Sequence, residues 1–303
     1  MERYSFYQFQ QEFPDSDACL AKIMGFYSRN HPVCKKCGRE TKYHRITKRR
    51  AYACQFCGDH VYPCKGTPFE KSTTPLHKWF YAIYLFTSTR HGVSAKELER
   101  QLGVTYKCAW RMAHQLRDHM AKLDTNQLFG EIEIDETYIG GKRPGKPGRG
   151  AGGKTVVLGI TQRGGSVRTK VIPDAKRSTI EPVIRKNVRK GSKVNTDEWT
   201  AYKHLAPDYD HRTVLHGIKQ WVVGTCHTNS IEGYWSLFKR SVLGTHVHIS
   251  AKHMPKYLAE FDFRYNTRKI PHRMFALLLE LLHPKASVLA MPQKQSCSRL
   301  ESA

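Results

Sequence analysis

The chain has 303 residues, 40% of them hydrophobic, and carries 50 Lys and Arg against 26 Asp and Glu, for a formal net charge of +24. That is apolar material for at least one full core and roughly two or three domains. No apolar run reaches membrane-spanning length and MERYSFYQFQQEF lacks a basic-then-apolar leader, so a membrane protein and a secretory leader are excluded and the cytosol is the expected location.

The excess positive charge is spread along the chain and calls for a polyanion, of which nucleic acid is the commonest. Nine cysteines, an odd number, argue against a disulfide framework. Residues 1–30 read as an amino-terminal helical segment. Residues 31–67 read as a zinc ribbon. Cys34-Lys-Lys-Cys37-Gly and Cys54-Gln-Phe-Cys57-Gly are two knuckles, each turning tightly enough to aim two thiolates at one ion, with a small basic hairpin between them. Four thiolates close a tetrahedral site, so this Zn2+ is structural rather than catalytic. Cys64 reads as an ordinary small apolar residue.

Residues 68–126 read as helical and DNA-binding. LHKWFYAIYLFTSTRHG has core-type helical spacing. In SAKELERQLGVTYKCAWRMAHQLRDHM, Ser94 caps a helix with an apolar face at Leu98 and Leu102, Gly103-Val104 turns, and Thr105 opens a second helix carrying Trp110, Met112 and Leu116. This is a helix-turn-helix pattern, with a plain helical hairpin as the alternative.

From residue 127 to 285 the pattern is α/β. EIEIDETYIGG is a half-buried strand bearing Asp135, KRPGKPGRGAGGK a basic loop, and KTVVLGITQRGG with SVRTKVIPDA two more strands of an antiparallel meander. RSTIEPVIRKNVRKG follows as a helix capped by Ser178 or Thr179, and SKVNTDEWTAY as a strand delivering Asp197 at its end. Meander, helix, strand and helices is the order of a ribonuclease-H-like core, in which the first strand, the end of the fourth and a later helix converge. HTNSIEGYWSLFKR is that helix. Seven residues return to within about 20° of one face, so Glu232 and Lys239 share a stripe, with Asn229 on its flank. MFALLLELL reads as a closing helix and residues 286–303 as a disordered tail.

EIDETYIGGK, NTDEWTAY and HTNSIEGYWSLFKR, followed by YLAEFDFRYNTR, resemble the insertion-sequence transposases that join a zinc ribbon to a DDE integrase core, the insertion-sequence family fifteen ninety-five, related to the eukaryotic Merlin elements. FPDSDACLAKI and the paired knuckles extend the resemblance over nearly the whole chain. The expected fold is therefore multidomain α/β, a zinc ribbon and helix-turn-helix followed by a ribonuclease-H-like catalytic core.

The resemblance implies a DNA transposase that binds terminal repeats and catalyses metal-dependent cleavage and strand transfer. Its implied partners are double-stranded DNA, both transposon ends and target, and further copies of itself in a synaptic complex. Asp135 and Asp197 become the first two acidic ligands of catalytic Mg2+ or Mn2+. Glu232 is assigned as the third and Asn229 is the alternative, a neutral oxygen donor or helix cap; Lys239 approaches a phosphate. Glu133, Glu136 and Glu198 read as surface or edge carboxylates, the last two on the opposite sheet face. Trp199, Tyr202, Tyr234 and Trp235 read as packing aromatics, with base stacking as the alternative. His227 reads as structural. Arg264, Asn266 and Arg268 read as backbone contacts or a solvated basic face.

Overall fold

The computed structural model describes residues 4–123, 126–140, 153–215, 217 and 222–283. Most of the loop expected at 142–154, and the tail, lie outside these residues. The chain begins with helices α1 (Phe6–Glu12) and α2 (Ser16–Asn30), each opened by a side-chain cap, Ser5 for the first and Asp15 for the second. A three-stranded antiparallel sheet follows, β1 (Tyr43–Ile46), β2 (Ala51–Cys54) and β3 (His60–Val61), in that order.

Helix α3 (Leu76–Ser88) buries Trp79, Phe80, Ile83 and Phe86. Ser94 caps α4 (Ala95–Leu102) by accepting from Glu97 N at 3.0 Å, Gly103 turns the chain at φ +57, and Thr105 caps α5 (Tyr106–Met120). A left-handed φ is where glycine avoids the steric cost of a Cβ. Met112 and Leu116 are buried as the spacing requires, whereas Trp110 stays 37% exposed and stacks on His114 with ring centroids 3.8 Å apart.

The second half is built on a five-stranded sheet of order β6-β5-β4-β7-β8. Strands β4 (Glu131–Ile139), β5 (Thr155–Gln162) and β6 (Val167–Ile172) form the antiparallel meander. Helix α6 (Arg177–Asn187) begins at Lys176, with Asp174 accepting from both Lys176 N and Thr179 Oγ1, so neither Ser178 nor Thr179 is its cap. Strand β7 (Lys193–Thr196) then enters parallel to β4, and β8 (Asp210–Thr213) parallel to β7.

Period-two alternation divides β4 between two cores. Ile132 and Ile134 pack with α6 and Tyr202, while Ile139 packs on the other face with helix α7 (Asn229–Ser241). Helix α8 (Met254–Thr267) covers the β6 edge, where exposed N–H and C=O groups would otherwise invite another strand. Asn266 brackets Val167, accepting from its N at 2.7 Å and donating to its O at 3.0 Å; Asp262 accepts from Thr169 N at 3.0 Å. The last helix, α9 (Met274–Leu281), buries its leucines in the amino-terminal core with α1, α2, α3 and α5.

Gly159 pairs with Asp135 across β4 and β5. A Cβ there would lie 2.4 Å from Trp235 Cζ2 and 2.7 Å from Ile231 Cδ1, so the missing side chain sets how closely α7 approaches the sheet. Gly159→Ala is expected to push α7 outward and cost about 1 to 3 kcal/mol, as overpacking does. A lowered urea-unfolding midpoint is the measurement that checks it.

Candidate active site and metal centre

Cys34, Cys37, Cys54 and Cys57 gather with their sulfur atoms all within 4.8 Å of one another. In each knuckle a glycine N–H closes back on the first cysteine carbonyl, Gly38 N to Cys34 O at 2.9 Å and Gly58 N to Cys54 O at 3.0 Å. Both glycines have left-handed φ, +69 and +68. The expected hairpin is present as β1 and β2. The donor set is all soft sulfur in a tetrahedral number, which fits a metal ion such as zinc. Cys64 is buried apart, in the amino-terminal core.

The second cluster is acidic. In the parallel β4–β7 register Glu133 lies beside Asn195, and continuing that register by two residues sets Asp135 beside Asp197, just past the end of β7. Adjacent strands lie about 4.8 Å apart. Asp197 Oδ1 accepts from Trp199 N at 3.0 Å, which turns the chain away at the strand end. Glu232 comes from the first turn of α7, and Thr228 Oγ1 donates to its Oε1 at 2.7 Å. Burial pushes the Asp135 carboxyl up to about 7, and the charges of Glu136, Asp197 and Glu232 add to that effect.

Asp197 and Glu232 thus both act on Asp135, yet among the described residues only the cysteines draw three or more ligand atoms within 4.8 Å. Hard oxygen donors around a crowded negative charge are a set that a divalent cation would compensate. Asn229, the first residue of α7, is exposed, and the helix is capped by neither its side chain nor that of Thr228. Lys239 is exposed further along the same helix.

What caps α7 is Glu133. Its carboxylate is fully buried and accepts from Ser230 N at 2.7 Å, Ile231 N at 3.1 Å and Ser230 Oγ at 3.0 Å. These are first-turn N–H groups that the helix itself cannot satisfy, and the anion also meets the positive end of the helix dipole. Arg163, from the β5–β6 turn, donates from Nε to Glu133 at 2.7 Å and from Nη1 to Glu131 at 2.9 Å. The same guanidinium holds the approach to the helix, donating to Thr225 O at 2.7 Å and His227 O at 3.0 Å. His227 Nδ1 lies 3.2 Å from Glu133. A strand, a turn and a helix entrance are tied together at one carboxylate.

Residues 127–266 match the ISXO2-like transposase domain. An uncharacterized protein in transposable element ISH50 of Halobacterium salinarum is 29% identical over 266 residues, covering 80% of this chain and 88% of its own length. An uncharacterized transposase-like protein of Haemophilus influenzae is 29% identical over 112 residues, covering 37% of this chain and 89% of its own. Residues 127–266 of the chain thus carry an ISXO2-like transposase domain.

In this domain some side chains stand where the sequence suggests, as Glu198, Tyr202, Tyr234 and Trp235 do, and others do not. Glu133 is a buried cap and not an edge carboxylate. Glu136 does face away from Asp135, but it is also buried and accepts from Tyr202 OH at 2.7 Å. Glu198 is exposed, and its carboxylate accepts from Gly217 N at 3.0 Å. Tyr202, Tyr234 and Trp235 are buried, which removes them from any stacking on a base.

Arg264 is neither a phosphate contact nor solvated. It is 9% exposed and pairs with the fully buried Glu260 at 2.7 Å, as Arg117 of α5 does at 2.8 Å. Asn266 is spent on the β6 edge, and Arg268 lies over the Tyr265 ring at 3.7 Å. Arg163 had no signal in the sequence, because only the fold brings the β5–β6 turn to the entrance of α7. Glu133 had a weak one: a strand carboxylate two residues before Asp135 shares its face, and that face receives α7.

Removing the clamp strands both the arginine and the helix N-terminus. Glu133→Ala is expected to cost about 3 to 5 kcal/mol, the usual penalty for breaking a buried ion pair, measured by urea unfolding against wild type. Asp135 behaves oppositely. The folded chain keeps its proton up to about 7, against an ordinary value of 3.8, so across that interval the folded state binds more protons and stability in the absence of divalent cations falls as pH rises. Asp135→Asn is expected to raise the denaturation midpoint, by more at about pH 8 than at about pH 5.

Proposed function

We propose that the protein is a DNA transposase that binds transposon ends and catalyses metal-dependent strand cleavage and strand transfer, with Asp135, Asp197 and Glu232 as its acidic triad. The observation that carries this reading is the convergence of those carboxylates from the first strand of a meander, the end of the parallel strand beside it, and a later helix. That arrangement is the one expected of a ribonuclease-H-like core. Asp135, Asp197 and Glu232 would hold Mg2+ or Mn2+, and such ions supply activation of the attacking oxygen and stabilisation of the leaving one in phosphoryl transfer.

The chain's own residues do the positioning. Glu133 and Arg163 fix the start of α7, and Thr228 orients the Glu232 carboxylate. Lys239, two turns on and near the same stripe, offers a point charge to a DNA phosphate. Glu232 is preferred to Asn229 as third ligand because its charge already acts on Asp135 and a carboxamide has none to offer.

The amino-terminal modules supply the DNA contacts in this reading. Residues 31–67 form a zinc ribbon, and α4 with α5 in residues 68–126 a helix-turn-helix whose second helix exposes Tyr106, Lys107, Trp110 and Arg111. Pairing two ends calls for more than one copy of the chain.

The test is a strand-transfer assay on labelled DNA bordering the gene, with Mg2+. Asp135→Asn and Glu232→Gln are expected to lose joined product by about a hundredfold or more while still binding DNA, and Asn229→Ala to retain most of it. Abolition by Asn229→Ala with Glu232→Gln active would move the third ligand. Cleavage without joining would point to a nuclease, and binding without either reaction to a DNA-binding regulator.

A further inference from the structure

Helix α7 does not end in a left-handed turn, since Val242 at its end keeps right-handed helical geometry and donates to Phe238 O. It runs into a π-helical turn, Val242–His246, and then into Val247 at φ +61 and ψ −52. His248 N donates back to His246 O at 2.6 Å, closing a three-residue turn around that valine. A β-branched residue in this region is a steric outlier, and a glycine there would be unstrained.

The turn is firmly held from beneath. Val242, Ile249 and Met254 are buried, and Ser241 Oγ lies 3.2 Å from His91 Nδ1. From this fixed base two apolar side chains project. Leu243 is 73% exposed and Val247 78% exposed, and no other large apolar side chain among the described residues is more exposed. The structure therefore spends backbone strain on displaying a valine to solvent.

Charge and position indicate what these side chains meet. Between Glu232 and Glu260 the sequence contains no Asp or Glu, and Lys239, Arg240, His248 and Lys252 around the projection are all exposed. Leu243 lies eleven residues beyond Glu232, three helical turns and about 20°, which puts it on the stripe of Glu232 and Lys239. A rise of about 1.5 Å per residue places it about 16 Å from Glu232, the length of about five base pairs.

We infer that Leu243 and Val247 form an apolar wedge that enters the stacked bases of the duplex bound at the carboxylate site, about five base pairs from the reacting phosphate, with the surrounding basic residues on the backbone. The inference rests on the transposase reading. Apolar side chains flanked by positive charge are the composition that unstacks a base step, since the charge binds the strands while the wedge replaces a stacking partner. The wedge would open or bend the end so that the scissile strand reaches the acidic residues.

The experiment needs no divalent cation and so is separate from the chemistry. DNA bordering the gene is labelled with 2-aminopurine at successive positions about three to seven base pairs from the transposon end, and its fluorescence is followed as protein is added, with anisotropy of a second dye reporting binding. Wild type is expected to raise the fluorescence about threefold or more at one or two adjacent positions. Leu243→Ala/Val247→Ala is expected to bind the same duplex within about threefold of wild type without that rise.

Binding by wild type with no fluorescence rise at any position overturns the wedge and leaves the transposase reading standing. A rise that persists in the double variant also overturns it. So does loss of self-association in that variant with the rise intact, which would assign the two side chains to a second copy of the chain. Failure of wild type to bind any of these duplexes removes the wedge together with the reading beneath it.

Discussion

The buried carboxylate of Glu133 is the constraint on which the arrangement of the acidic residues depends. A helix that carries a carboxylate in its first turn faces a conflict, because the same turn exposes N–H groups that need acceptors. An ordinary solution would use the residue at the helix entrance as the cap. Here the acceptor comes from the central strand. Thr228 is thereby released from capping and donates to Glu232 instead. Arg163 neutralises the buried anion and fastens the preceding loop to it, so the strand bearing Asp135 and the helix bearing Glu232 share one anchor.

A second buried carboxylate links the amino-terminal helices to the sheet. Glu260 of α8 accepts from Arg117 of α5 and Arg264 of its own helix, with Arg117 also over the Tyr257 ring at 4.0 Å. On its opposite side α8 reaches β6 through Asp262 and Asn266, and Tyr234 of α7 donates to Asp262 at 2.6 Å. One helix therefore touches α5, α7 and the sheet edge through polar side chains. Such paired and hydrogen-bonded buried charges contribute little net stability against an apolar alternative, but they favour one packing over its neighbours. In the proposed function α5 reads DNA and α7 completes the acidic triad. The Glu260 contact would then fix the distance between reading and chemistry.

Charge is distributed with the same economy. The chain as a whole is strongly basic, and Glu133, Glu136 and Glu260 among its acidic residues are buried against hydrogen-bonding partners. Crowding Asp135 with neighbours of its own sign raises its proton affinity, a cost that an apolar or neutral side chain at that position would not carry. Folded proteins keep such unfavourable clusters where the compensating partner is an ion or substrate.

Local chemistry made the cysteine knuckles, the glycine turns at Gly38, Gly58 and Gly103, the caps Ser94 and Thr105, and the alternation of β4 legible in the sequence, because each depends on residues within a few positions of one another. The position of Asp197 at a strand end and the shared stripe of Glu232 and Lys239 were legible for the same reason. Contacts between segments far apart in the chain were not. Glu133 meets Ser230, Arg163 meets His227, Arg117 meets Glu260, and Asn266 meets Val167 only after the sheet and helices have packed, and no periodicity records those meetings. Burial reversed several readings because a charged side chain looks the same in sequence whether water or another charge receives it. By itself the sequence determined which residue types could serve as metal ligands and which elements carry them; the tertiary structure alone decided which charges became scaffold, through the need of every buried polar group for a partner.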